Sequence, residues 1–229
     1  MDDPRYKRIA EYIKRYMLKH ATTGDPLHGE RRATARYWHT LSVFKNLQTI
    51  LESEGADPET REVAQVAALF HDVDSYTVEH AYHGDRGAET AEKFLAKEGY
   101  AAPFIERVKR AVRDHNYDYD DERPVAEQIA EIVRDNPKES LYVMDADILD
   151  KIGASNILAA VMPLGLSDKH AYEAARLLAL WPLERAQFWA STLTTATGCA
   201  MGAQRLAFYE TFIAHLRDEI ALTDPFLGV

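Results

Sequence analysis

The sequence predicts an all-α fold. Apolar residues recur at helical spacing along nearly the whole chain, alternating strand-like runs are nearly absent, and 11 Gly and 9 Pro in 229 residues leave little room for the turns of an all-β fold. An apolar fraction of 46% with 28% charged residues fits a globular chain long enough to bury a substantial core.

Each helix has its own signal. Ile9, Ile13, Tyr16 and Met17 fall on one stripe and predict a helix over 3–19. Val43, Leu47, Ile50 and Leu51 predict one over 33–54, ended by Gly55. Asp57-Pro58 reads as an N-cap followed by Pro at the first helical position and opens 58–71. A helix over 86–98 stops at Gly99. Ile105, Val108 and Val112 mark 102–115; Val125, Ile129, Ile132 and Val133 mark 124–135; a further helix covers 138–151. Beyond Lys151 the expectation is a helix to Met162, one from about Asp168 to Leu180 stopped near Trp181-Pro182, and a last pair within 183–221. In that pair Leu206, Tyr209, Ile213, Leu216 and Ile220 form a stripe that should cover the bundle or a second copy in a homodimer. The expected organisation is a helical domain over 1–160, with its core in 33–160, and C-terminal helices over 161–229 packing on it.

Charge and composition narrow the function classes. With 27 Lys+Arg against 37 Asp+Glu the formal charge is −10, so the chain has no general attraction for nucleic acid phosphates. A small substrate or a metal fits better. Residues 113–150 hold twelve acids and four bases, a surplus of eight, which reads mostly as a solvated face in which a few carboxylates bind cations. The start MDDPRYKRIAEYIKRY lacks an apolar segment behind its charges, and the longest nearly uncharged apolar stretch, Ile157 to Leu166, is too short to span a bilayer. The expected location is the cytoplasm, with no membrane role. Cys199 has no partner for an intramolecular disulfide and is expected to be a buried structural thiol. No phosphate-binding G-x-x-x-x-G-K-[ST] loop or G-x-G-x-x-G turn occurs.

Several polar residues sit where the apolar stripes point inward. His39 continues the Val43, Leu47, Ile50 stripe, His115 continues Val108, Ala111 and Val112, and Asp147 continues Val143 and Met144. His71-Asp72 ends a helix of small and apolar residues. Any one histidine in such a place is more often a core residue bonded to a carbonyl. Two buried carboxylates among buried histidines are another matter, because each buried charge costs several kcal/mol unless it is compensated. A divalent cation would satisfy the whole set. The intervals His39 to His71, His83 to His115 and His115 to Asp147 are each 32 residues, so the ligands must converge from several helices. Without thiolates the set disfavours structural zinc and suits Mn, Fe, Mg, Co or Ni, as one or two ions.

The order His39, His71-Asp72, Asp147, in the contexts RYWHTLSVFKN, VAALFHDVDSY and VMDADILDKIGA, resembles the HD superfamily of metal-dependent phosphohydrolases over roughly residues 33–160. The resemblance implies an HD-type helical bundle in which His39, His71, Asp72 and Asp147 hold one metal. Asp145 and Asp150 would then lie behind the ligands or in solvent. YHGDRGAETAEKFL and AVRDHNYD resemble elements that supply two further histidines in two-metal members, pointing to His83 and His115. In one-metal members such histidines contact substrate phosphate or relay protons, and both roles stay open here. The chain departs from the HD-x-x-K form, having Asp74-Ser75, and Ile148 replaces the basic residue that often follows the last Asp. Arg86, Lys151 and Arg36, each within a helical turn of a proposed ligand, are the candidates to bind phosphate instead.

The resemblance implies hydrolysis of a phosphate ester of a nucleotide or another small phosphorylated metabolite, with Asp72, His83 and His115 as the catalytic candidates. Whether the reaction is that of a phosphomonoesterase or a phosphodiesterase stays open. Two other readings use the same residues: a di-iron oxygenase, which iron content with oxygen consumption would identify, and a nucleotide-sensing module that binds without turnover.

Overall fold

The computed structural model describes residues 3–20, 26–75, 82–155, 157 and 183–223. Among them are nine helices and no strand: α1 (Pro4–His20), α2 (Pro26–Ser53), α3 (Pro58–Phe70), α4 (His83–Lys97), α5 (Ala102–Asp114), α6 (Val125–Asp135), α7 (Lys138–Asp150), α8 (Leu183–Ser191) and α9 (Ala196–Thr223). The expected helices ending at Met162 and spanning 168–180 lie wholly or largely outside the described residues, as does the expected domain boundary at 160/161.

Local chemistry sets the ends. The Asp57 carboxylate accepts from the backbone N–H groups of Glu59 and Thr60, with Pro58 at the first helical position, so α3 begins on a satisfied cap. Gly55 (φ 62°) and Gly99 (φ 81°) take the left-handed conformation that closes α2 and α4. Behind Gly99, Tyr100 N–H reaches back to the Leu95 carbonyl at 3.0 Å. α2 starts at Pro26, seven residues before the periodicity predicts, because Pro suits a first turn that carries no apolar stripe.

The chain divides into two compact units, residues 1–147 and 148–229. In the first, α3 is central and meets α1, α2, α4 and α5. Val63, Ala64 and Val66 to Phe70 are fully buried, so this helix has no solvent face beyond its first turns. α7 is buried from Glu139 through Asp147, and the Asn46 side chain of α2 donates to the Ala146 carbonyl at 3.1 Å. α6 buries Ile132 and Gln128, whereas Val133, expected on the core stripe, is exposed. The Gln128 amide instead tends the preceding loop, accepting from Asp120 N–H and donating to the Asp120 and Arg123 carbonyls. In the second unit Ile157, Ala186, Tyr209 and Ile213 form a small core flanked by Leu183, Leu206, Phe212 and Leu216. The Leu206–Leu216 stripe thus covers its own unit. Cys199 is exposed, not buried, and its Sγ lies 3.4 Å from the Leu193 carbonyl.

Candidate metal centre

All six expected ligands belong to the first unit, and five different segments deliver them. α2 carries His39, the turn after α3 carries His71 and Asp72, α4 opens with His83, His115 caps α5, and α7 supplies Asp147. Small residues permit the approach. A Cβ on Gly87 would lie 3.2 Å from the Phe70 carbonyl and 3.3 Å from a Val112 methyl, and one on Gly84 would lie 3.2 Å from the Arg113 carbonyl. A methyl at either position would press on these carbonyls and push α4 back by a few tenths of an ångström, so glycine lets it sit this close to the ends of α3 and α5 without strain.

The ligand atoms fall into two groups that share one carboxylate. His39 Nε2 lies 3.2 Å from His71 Nε2, 3.1 Å from Asp147 Oδ1 and 3.4 Å from Asp72 Oδ2. His83 Nε2 lies 3.1 Å from His115 Nε2 and 3.4 Å from the other Asp72 oxygen, Oδ1. Both sets, His39–His71–Asp72 and Asp72–His83–His115, are compact enough to hold an ion. Two nitrogens each about 2.1 Å from one cation and separated as these pairs are would subtend roughly 95–100° at it, between the octahedral and tetrahedral angles.

Hydrogen bonding fixes which nitrogens face inward. The Nδ1–H groups of His71 and His115 donate to the Ala68 and Val112 carbonyls at 2.8 and 2.6 Å, which leaves both Nε2 atoms as lone pairs aimed at the cluster. Burial pushes the His71 pKa down against the pull of Asp72 and Asp147, and burial followed by His71 pushes His115 down to about 3. Both rings are neutral at pH 7. Burial alone would raise the Asp72 carboxyl, but the charge of the Arg36 guanidinium and the hydrogen bond from His39 outweigh it and hold the group well below its ordinary range. Around His39 Nε2, three acceptors (His71 Nε2, Asp72 Oδ2 and Asp147 Oδ1) thus meet a nitrogen that carries one proton at most. A cation satisfies this donor set, and the cluster could hold a metal.

The site has a closed and a more open side. His71, Asp72, His83, His115 and Asp147 are buried, while the His39 side chain is 15% exposed and that of Arg36 36% exposed. Arg36 Nη1 lies 2.5 Å from Asp72 Oδ2, so of the three expected phosphate ligands this one is at the cluster. Arg86 pairs with Glu89 at 3.0 Å on an exposed face. Lys151 belongs to the second unit, where its Nζ lies 4.5 Å from the centroid of the Trp189 ring. Asp145 is fully buried and Asp150 partly so. Asp74, which no sequence signal marks beyond its place in the doublet's turn, is buried with Tyr16 and Thr90.

The sequence pattern of the HD domain matches residues 36–152, a span that holds every ligand of the cluster. The chain belongs to the HD domain family. Its HD fold recurs in solved structures of low sequence identity. An HD-superfamily hydrolase from Bacillus thuringiensis is 18% identical with a TM-score of 0.64, over 94% of this chain and 96% of that one. A predicted HD superfamily hydrolase from an uncultured Thermotogales bacterium is 22% identical with a TM-score of 0.57, over 93% and 91%. Bacillus subtilis YpgQ, solved in complex with ADP, is 20% identical with a TM-score of 0.57, over 94% and 100%. No curated protein matches the chain. No helix among the described residues is long and apolar enough to cross a membrane.

Proposed function

We propose that the protein is a metal-dependent phosphohydrolase acting on a phosphate ester of a nucleotide or another small phosphorylated metabolite. The observation that carries this reading is the division of Asp72, with Oδ2 facing His39 and His71 and Oδ1 facing His83 and His115. Two ions fit this division better than one: His39, His71, Asp147 and Asp72 would hold the first, and Asp72, His83 and His115 the second. Manganese, iron, magnesium, cobalt and nickel all suit such ligands. Bound there, divalent ions would lower the pKa of water and neutralise charge on phosphoryl oxygens.

The chain's own residues supply the rest. Asp72, held ionised between the two groups, is the carboxylate positioned to accept a proton from an attacking water. The closed side formed by His71, His83 and His115 keeps bulk water out and leaves the His39–Arg36 side for the substrate. The Arg36 guanidinium, now on Asp72, offers a planar fork that suits a phosphate. ADP in the YpgQ structure supports a nucleotide as the phosphorylated group. The test is a screen of nucleotides, sugar phosphates and cyclic dinucleotides across these metals, comparing wild type with Asp147→Asn. Hydrolysis by wild type that fails in the variant is expected. Equal rates in both, with background phosphatase excluded, would leave a binding module as the better account.

A further inference from the structure

Two residues beyond Asp72, the same turn carries a second buried carboxylate that belongs to neither ligand group. Asp74 is 1% exposed. Its Oδ1 accepts from the Tyr16 hydroxyl of α1 at 2.9 Å, and its Oδ2 accepts from the Thr90 hydroxyl of α4 at 2.5 Å. The turn itself is tight: Val73 N–H bonds the Phe70 carbonyl at 3.1 Å and Ser75 N–H bonds the Asp72 carbonyl at 3.2 Å. Any shift of Asp74 therefore moves the backbone from which Asp72 projects. Thr90 stands seven residues after His83, about two turns along α4 and on the same face. One carboxylate thus ties the turn that bears Asp72 to the helix that bears His83.

Burying a carboxylate against hydroxyl donors is a costly way to join helices that apolar contacts could join. What it adds is direction, because two hydrogen bonds of fixed length locate the turn in a way that apolar packing does not. Tyr16 also lies outside the 36–152 segment that matches the HD pattern, so α1, which offers no ligand, is drawn into the site by this bond.

We propose that Asp74, held by Tyr16 and Thr90, is a positioning residue that fixes Asp72 between the two ligand groups and sets His83 against it. The role rests on the metal reading above. Cobalt(II) is the probe, since its visible spectrum reports ligand geometry independently of turnover. Tyr16→Phe and Thr90→Val each remove one donor at nearly constant shape, and Thr90→Ser restores the hydroxyl. Tyr16→Phe and Thr90→Val should alter the cobalt spectrum and weaken cobalt binding by about 10-fold, the lower end of the usual effect of losing a partner behind a metal ligand. Thr90→Ser should match wild type. Thermal unfolding of each variant separates lost stability from altered coordination. Wild-type spectra and affinities in both Tyr16→Phe and Thr90→Val would overturn the role, as would a Thr90→Ser protein that behaves like Thr90→Val. Wild-type protein that takes up no cobalt would remove the metal reading, and this role with it. Asp74→Asn is informative where it folds, and the two hydroxyl variants carry the test where it does not.

Discussion

Metal binding should raise the melting temperature of this protein by an amount that the site itself limits. The perturbation is addition of manganese to chelator-stripped protein, beside Asp72→Asn, which keeps the side chain's size and removes the charge shared by both ligand groups. With free metal a thousandfold above its dissociation constant, linkage contributes about 4 kcal/mol. For a chain of this length each kcal/mol moves the midpoint by roughly 2–4 °C, so the expected rise is about 8–16 °C. Differential scanning fluorimetry across a manganese series reads it, and the transition to follow is that of the unit holding the ligands. Asp72→Asn should lose most of the rise, because it removes the charged carboxylate that both groups share, leaving Asp147 as the one carboxylate of the His39 group and none in the His83 group. A wild-type midpoint indifferent to millimolar manganese, or an equal rise in Asp72→Asn, would mean that the stabilising ion is not held at Asp72.

Four further outcomes follow from the same geometry. Asp147→Asn should keep the fold while metal affinity and phosphoester hydrolysis fall together, whereas His115→Ala should lose the ion of the His83 group and retain that of His39; metal analysis of each purified variant decides. The metal-free protein should lose stability on acidification, because the unfolded chain protonates its histidines near pH 6.5 while folded His71 and His115 do not. The loss begins as pH falls below about 6.5 and runs, at about 1.4 kcal/mol per pH unit for His115, toward its folded value of about 3, with His71 adding loss in the same direction; denaturant titrations in chelator that give a flat profile from pH 6.5 to 5 would contradict it. Gly87→Ala should destabilise the chain by about 1–3 kcal/mol, since its methyl meets the Phe70 carbonyl and a Val112 methyl, and unfolding titrations that show no loss would mean α4 can retreat freely.

Much of the fold was legible because each helix announces its buried face and its ends. Asp57, Gly55 and Gly99 act locally, through hydrogen bonds and backbone angles within a few residues, so their sequence context is enough to identify them. The early start of α2 was not legible, since its first turns carry no apolar stripe to read. Val133 shows a further limit: it shares the spacing of a core position on α6, yet the neighbouring Gln128 takes the interior because a loop needs its amide. The ligands were legible one at a time, as polar breaks in apolar stripes. Their division into two groups was not, because periodicity says that His71 and His115 point inward and says nothing about what each meets. Asp74 had no signal beyond its place in the doublet's turn, because Tyr16 and Thr90, which hold it, lie 58 residues before it and 16 after it, on two other helices.

The most direct measurement is a crystal structure of the manganese-loaded protein with anomalous scattering collected for the metal. Two peaks are expected on either side of Asp72, about 3.5–4 Å apart, one among His39, His71 and Asp147 and one between His83 and His115. A single peak with the His83 and His115 rings more than about 4 Å away would make those histidines substrate contacts. Loaded crystals with no peak at Asp72 would contradict the metal centre itself.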